Sequence, residues 1–255
     1  AQTRAYYDIC KSIPHYDDCN SLQGMAVLGD YIYSAKKNSG YNKGTVFRTD
    51  RFTGANVHMT IDGEKSVTYL GHANDMCAAQ IGGKGYLFVT SMKKSVEALA
   101  VFRISDTKLS LLGIYNIYTG GGSNLTVSGV DVYTVEGNTV TLLLAQGDLV
   151  FMGTIDVTQP AGNVYCPLGF QVDRNHMLEV AREACGNPEL EMTIQGSGFY
   201  NDTYYMPLTL HHNHSTQIKA DNHADSTSVI VAFPNIADAI SVMDRSVKAS
   251  LSETV

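Results

Sequence analysis

The stretch GHAND, residues 71–75, places an imidazole, a side-chain amide and a carboxylate close together, at His72, Asn74 and Asp75. A histidine and a carboxylate this near in sequence can do acid–base work on a glycan or hold a metal ion. The alternative is structural: His72 bonds to the backbone of a neighbouring element and Asp75 caps a turn. If the protein is an enzyme, His72 and Asp75 are the predicted catalytic residues.

Two further groups of residues could do chemistry. Asp131 lies on the next repeat from Asp75, so the two carboxylates form a candidate glycosidase-like pair whose separation the sequence does not reveal. The tract HHNH looks like a metal site with His212 and His214 on one strand face, but it lacks a well-spaced Cys or Glu ligand and also suits a solvated loop. The metal question stays open. No nucleotide-binding, EF-hand or zinc-protease motif is present in the sequence, and no cofactor is predicted.

The elements that must position these residues come in repeats. QGMAVLGDYIY, residues 23–33, returns as QGSGFYNDTYY, residues 195–205. Polar residues open equivalent segments about every 50 residues, and a Val-Phe marker follows the same rhythm. The first marker stands at Gln23, Asn74, Ser128 and Gln195, and the second begins at Val46, Val101 and Val150. Two independent markers with one period indicate repeated structural units.

Each unit alternates short apolar strands with turns rich in Gly, Asn and Asp, which accept the positive φ of tight hairpins. Four short strands in a unit of about 50 residues are typical of an all-β propeller blade. The sequence predicts one β-propeller domain over residues 1–255, with four legible four-stranded blades and an incomplete fifth. TRAYYDI, residues 3–9, is the expected strand donor at ring closure. A four-bladed ring with an extra terminal hairpin and a fragment of a longer chain are the alternatives.

The last interval between markers is longer than the others because a helix is inserted there. In DRNHMLEVAREACGN the helix is predicted near residues 173–186, with Asp173 as the N-cap and Gly186 as the C-cap. An apolar stripe that includes Met177 and Ala181 gives it one face to bury. We expect this helix to cover a blade edge rather than to bind a ligand.

In a propeller the first strand of each blade lines the central channel. The repeat therefore places Gln23, Asn74, Ser128 and Gln195 at the channel mouth. Their donors and acceptors could grip a small polar ligand, an ion or a sugar hydroxyl, and these four are the predicted ligand-binding residues. The alternative is that they hold channel waters and tie the blades together.

Charge and apolar pattern exclude some partners. A net charge of −7 without a basic run argues against nucleic acid, and no apolar run approaches the ~20 residues that cross a bilayer. The chain has 5 Cys residues. Cys10 and Cys19 bracket a short polar loop and are expected to form a disulfide, with Cys77 unpaired, in a secreted or extracellular protein. Five reduced, buried thiols are the alternative.

Two motifs carry a family resemblance. Gln23-Gly24 and residues 71–76, GHANDM, resemble the strand starts that open successive blades in secreted bacterial β-propellers of the helveticin-like type. The likeness covers residues 21–117. It implies a role in binding a glycan or a cell-envelope polysaccharide, and it carries over no catalytic residue.

Three functions remain open at this stage. The first is an extracellular propeller that binds a glycan at the channel mouth, where Tyr31, Tyr33, Tyr204, Tyr205 or loop tyrosines would supply stacking faces. The second is a carbohydrate-active hydrolase or lyase that uses His72 and Asp75. The third is a protein-interaction scaffold without chemistry, since a propeller fold does not define a function.

Overall fold

The computed structural model describes residues 12–92, 98–119, 124–186, 191–194, 196–211 and 228–243. These residues form four β-sheets that are arranged as four blades of a propeller, together with two helices. The predicted all-β propeller with four legible blades is therefore confirmed. That residues 1–255 form a single domain stays a prediction.

The first blade contains four antiparallel strands in the order β1-β2-β3-β4, and a short fifth strand leaves it. The strands are β1 (Ser21–Leu28), β2 (Tyr31–Lys37), β3 (Gly44–Asp50), β4 (Asn56–His58) and β5 (Thr60–Ile61). The β1–β2 hairpin turns through Gly29, which has a φ of 58°. This positive φ is the reason that a glycine stands in the turn.

The second blade repeats the pattern in the order β6-β7-β8-β9. Its strands are β6 (Met76–Ile81), β7 (Lys84–Thr90), β8 (Leu99–Ser105) and β9 (Lys108–Thr119). The two Val-Phe-Arg segments lie in β3 and β8, the third strand of each blade, so the period that the sequence shows is the blade period. The strand β5 pairs in parallel with β9 and connects the first blade to the second.

The third blade uses strands β10 (Gly129–Glu136), β11 (Thr139–Gln146) and β12 (Leu149–Asp156). Two short strands follow, β13 (Asn163–Cys166) and β14 (Leu168–Gln171). The strand β13 pairs in parallel with β9 of the second blade, whereas β14 completes the third blade beside β12. Neighbouring blades are thus joined by strand pairing as well as by side-chain packing.

The inserted helix α1 (Arg174–Cys185) comes next, and its predicted caps are confirmed. The carboxylate of Asp173 accepts a hydrogen bond from His176 N at 3.0 Å, and Gly186 adopts the left-handed conformation with a φ of 65°. Met177 and Ala181 are buried between the third and fourth blades. The helix therefore packs at a blade interface, because its apolar stripe matches the apolar faces of both sheets.

The fourth blade follows the helix. It consists of β15 (Glu191–Ile194), β16 (Gly198–Tyr200), β17 (Thr203–His211) and β18 (Ser228–Pro234). After it come the short helix α2 (Ile236–Ala239) and β19 (Ser241–Val242), which pairs with β14 of the third blade. The described residues contain no fifth sheet, and the expected strand donor at residues 3–9 lies outside them.

The core consists of apolar layers between successive blades. In β11, Leu142 and Leu144 face the second blade, whereas Leu143 and Ala145 face the fourth. Alternate side chains of a strand point to opposite faces, so a blade that is covered on both sides needs an unbroken apolar run, which is what β11 has. Among the described residues, no helix combines the length and the apolar character needed to span a membrane.

Candidate functional site

The innermost strands of the first three blades come together at one end of the ring. Gly24 N donates to Ala73 O at 2.9 Å, and this bond joins the first blade to the second. Asn74 Nδ2 donates to Ser128 O at 2.6 Å, and this bond joins the second blade to the third. A Cβ at Gly24 would lie 2.6 Å from Met76 Cγ, so only glycine allows this approach. We call this end, defined by Gln23, His72, Asn74 and Ser128, the mouth.

The predicted ligand-binding residues differ in how many of their side-chain donors and acceptors already take part in hydrogen bonds. Gln23 Nε2 donates to Ser21 Oγ at 2.8 Å and is half-buried. The amide of Asn74 is buried in its bond between blades, and the hydroxyl of Ser128 donates to a backbone carbonyl within its own blade at 3.3 Å. The fourth residue of this set, Gln195, lies outside the described residues. Asn74 therefore holds two blades together, whereas no described residue bonds to the side-chain carbonyl oxygen of Gln23.

Asp75 and Asp131 are brought together by a residue of the fourth blade. The Oδ2 atom of Asp75 accepts hydrogen bonds from Val130 N at 2.9 Å, from Ser197 N at 3.2 Å and from Ser197 Oγ at 3.4 Å. The same Ser197 hydroxyl contacts Asp131 Oδ2. The two carboxylates, whose separation the sequence does not reveal, thus belong to one buried cluster in which three blades meet. The sequence did not single out Ser197, because the repeat marker in this segment is Gln195 and Ser197 lies two residues after it.

Both carboxyl groups of the pair favour their protonated forms. Burial raises the pKa of Asp75 well above its usual range, and the charge of Asp131 raises it further, although backbone N–H bonds oppose both effects. Burial also raises the pKa of Asp131 to about 6, against the lowering effect of the bond from Ser197. One hydroxyl hydrogen cannot serve two carboxylates at once. A proton on one carboxyl group allows Ser197 Oγ to bond to both.

Two other polar groups are buried beside this pair. Burial raises the pKa of the Tyr204 hydroxyl well above its usual range, and its contact with Ser197 opposes that rise. The nearby Cys77 thiol is buried and free, and burial, followed by the charges of Asp131 and Asp75, raises its pKa. The protonated forms of both groups are favoured, so neither is a nucleophile at neutral pH.

His72 lies at the mouth and points away from the carboxylate pair. Its backbone N–H donates to Ser91 O at 2.7 Å, and its half-buried ring packs against Tyr41 with the ring centroids 5.0 Å apart. In the described residues its ring nitrogens make no hydrogen bond, and no contact joins them to Asp75. Burial lowers the pKa of His72, and the charge of Lys37 lowers it further. The imidazole is therefore neutral at neutral pH.

Lys37 and Tyr41 are functional candidates that the sequence interpretation did not name. Lys37 ends β2 with only 6% of its surface exposed, and its Nζ lies 3.8 Å from the centroid of the Tyr41 ring. Tyr41 is 42% exposed, so it presents aromatic surface to solvent. The signal in the sequence is the pair Lys36-Lys37 at the end of a strand. Adjacent residues of a strand face opposite sides of the sheet, and in this fold both sides are covered, so both lysines are buried.

Two other expectations from the sequence, on the tyrosines and on a disulfide, are wrong. Tyr33 and Tyr204 are fully buried, so the prediction that they stack on a sugar is wrong. Cys19 is a free thiol that donates to Lys43 O at 3.6 Å, so the predicted bridge to Cys10, itself outside the described residues, is not formed.

The free state of Cys77 is confirmed. Within the described ranges no group of three His, Cys, Asp or Glu side chains could hold a metal ion. His212, His214 and His223 lie outside those ranges.

Comparisons with known proteins give a likeness of fold only. The sequence matches no protein-family model and no curated protein. Among solved structures, a phage phi92 endosialidase is 10% identical with a TM-score of 0.44, over 84% of this chain and 35% of that one. A xylan β-1,4-xylosidase from Bacillus halodurans C-125 is 11% identical with a TM-score of 0.47, over 87% of this chain and 44% of that one.

A GH43_1 enzyme from Xanthomonas citri is 11% identical with a TM-score of 0.33, over 88% of this chain and 91% of that one. The chain spans less than half of the length of the first two of these structures. With every TM-score below 0.5, none of them assigns an activity or a site to this chain. The chain's own sheets and converging inner strands define it as a β-propeller protein.

Proposed function

We propose that this propeller binds a carbohydrate at the mouth. The observation that carries the proposal is the pair of rings at His72 and Tyr41, which stand together, partly exposed, with polar atoms that no described residue engages. A sugar ring has apolar faces and a rim of hydroxyls, so it suits an aromatic face beside mixed donors and acceptors. The carbonyl oxygen of Gln23 adds an acceptor at the same end.

The source of the carbohydrate follows from the sequence. The resemblance of Gln23-Gly24 and of residues 71–76 to helveticin-like propellers supports a glycan or cell-envelope polysaccharide as the partner of a secreted or extracellular protein. A net charge of −7 disfavours nucleic acid as the partner. In this proposal Asn74, Ser128 and Gln195 shape the mouth, and His72 and Gln23 contact the sugar.

A glycan array followed by titration calorimetry tests the proposal. We expect Tyr41→Ala and His72→Ala each to weaken binding of an array hit at least about tenfold, since each removes a contacting ring. Tyr165→Ala is the matched control, because Tyr165 is an exposed tyrosine on β13 that stacks on Tyr118 at the outer side of a blade. The absence of any array hit, or equal losses in all three variants, would favour the protein-interaction scaffold instead.

A carbohydrate-active hydrolase is the second candidate, and the Asp75–Asp131 pair favours it. Two neighbouring buried carboxyl groups with raised pKa values provide one general acid and one base, as glycoside hydrolysis requires. His72 and Asp75, the catalytic pair proposed from sequence, make no mutual contact, so Asp131 replaces His72 in this candidate. Turnover of a polysaccharide panel that is lost in Asp131→Asn but kept in Asp156→Asn would establish it. No turnover by the unmodified protein would eliminate it.

A further inference from the structure

Lys37 is a buried cation without a counter-charge. In the described part of the chain it takes part in no ion pair, and its single hydrogen bond is a long one, from Nζ to Asn38 O at 3.4 Å. Removing an ammonium group from water without a partner is costly, and proteins usually pair such groups. Contact with the Tyr41 ring offsets only a part of that cost.

The neighbouring lysines show that this situation is specific to Lys37. Lys36 is 4% exposed, but its Nζ donates to Ile13 O at 2.7 Å and lies 3.4 Å from His15 Nδ1. Lys43 pairs with Asp17 and with Asp18, 3.6 Å from the latter. Among the described residues Lys37 therefore keeps ammonium hydrogens without acceptors, although the chain carries an excess of acidic residues.

The position of Lys37 relates it to the mouth. In the β1–β2 pairing Lys37 is opposite Ser21, whose hydroxyl accepts the bond from Gln23. Its ammonium group lies against one face of the Tyr41 ring, and His72 packs against the same ring in a T-shaped arrangement. An ammonium group and an imidazole thus contact the same phenol ring.

We propose that Lys37, His72 and Tyr41 bind the negatively charged substituent, a carboxylate or a sulfate, of an acidic sugar. This inference rests on the proposed carbohydrate site at the mouth and names its ligand class. One cation matches a substituent with a single charge, and the substituent would supply the acceptor that Lys37 lacks. The Asp75 carboxylate does not compete, because it is engaged by Val130 and Ser197. Tyr41 would offer its exposed surface to the sugar ring.

The experiment compares ligands that carry or lack a negative charge on the same sugar framework, using the full chain and titration calorimetry or NMR. The probes are glucuronate, its uncharged methyl ester, glucose 6-sulfate and glucose. We expect the unmodified protein to bind glucuronate, glucose 6-sulfate or both about tenfold more tightly than the matching uncharged sugar, with a preference that falls at high ionic strength. Lys37→Met should abolish the preference. Lys36→Met, an adjacent lysine of equal burial on the opposite strand face, should retain it.

The outcomes separate the two proposals. Equal binding of charged and uncharged sugars by the unmodified protein would overturn the anionic subsite and leave carbohydrate binding intact. A preference that Lys37→Met retains would also overturn it. Binding of inorganic sulfate that depends on Lys37, without binding of any sugar, would overturn the carbohydrate proposal instead. If Lys37→Met fails to fold, Lys37→Gln decides, because it removes the charge but keeps a polar side chain; a preference that Lys37→Gln retains would overturn the anionic subsite.

Discussion

Asp75 and Asp131 belong to neighbouring blades, and the hydroxyl of Ser197, from a third blade, contacts both of their carboxylates. The backbone N–H groups of Val130 and Ser197 also donate to Asp75. The stability of this junction therefore depends on the number of protons that the two carboxyl groups hold, because two adjacent buried negative charges repel each other.

We expect the protein to lose stability as pH rises through the range in which Asp131 releases its proton. The pKa of Asp131 is about 6 in the folded protein and about 4 in an unfolded chain, so the folded state holds the proton more tightly. The stabilisation is complete below pH ~4, is lost as pH rises through ~6, and amounts to about 3 kcal/mol at most. Asp131→Asn should flatten this slope in urea unfolding measured across that range.

Asp156→Asn is the control for this prediction. Asp156 is half-buried, and hydrogen bonds from Thr158 lower its pKa, so its contribution has the opposite sign and is lost as pH falls. Its removal should leave the decline between about pH 4 and 6 in place. An unchanged decline in Asp131→Asn would contradict the raised pKa of Asp131.

Gly24→Ala should destabilise the junction of the first two blades. The added methyl group would lie 2.6 Å from Met76 Cγ and 2.8 Å from the backbone carbon of Asp75, and backbone cannot move aside as a side chain can. We expect a loss of about 1–3 kcal/mol in the free energy of unfolding. Gly162→Ala, where a Cβ would meet nothing within 4 Å, should change it little. Equal effects would show that the blades do not approach closely at Gly24.

Binding of an acidic sugar should strengthen as pH falls through the pKa of His72. Burial and then the charge of Lys37 lower that pKa in the free protein, and a bound anion favours the imidazolium form and raises it. NMR titration of the His72 ring with and without glucuronate measures this difference. His72→Ala should abolish the pH dependence while leaving the melting temperature nearly unchanged. A large fall in melting temperature would indicate a structural role for His72 instead.

Cys166 should resist alkylation in the native protein. Its thiol is buried and free, and burial raises its pKa to about 12, so almost no thiolate is present at neutral pH. We expect iodoacetamide to label Cys166 only after denaturation, as peptide mass spectrometry would show. Rapid labelling of the native protein at Cys166 would contradict its place between the blades.

Local patterns in the sequence predicted much of the fold. The recurrence of Gln23 and Asn74 at strand starts and of Val46 and Val101 in third strands indicated a propeller, because a blade buries its faces only against similar blades. The ends of α1 followed from Asp173 and Gly186, since caps act within one turn of a helix. The sequence can predict helix ends and blade period because a few consecutive residues define a cap and a regular interval defines a repeat.

The sequence alone also determined the amino acids available at the mouth, and the tertiary structure decided how they are used. Asp75 and Asp131 became a pair because Ser197, far along the chain, reaches both. His72 turned toward Tyr41 instead of Asp75, and Lys37 was buried while its charge stayed unpaired. Each of these outcomes depends on how one blade packs against the next, and residues distant in sequence acquire their distances and burial only through that packing.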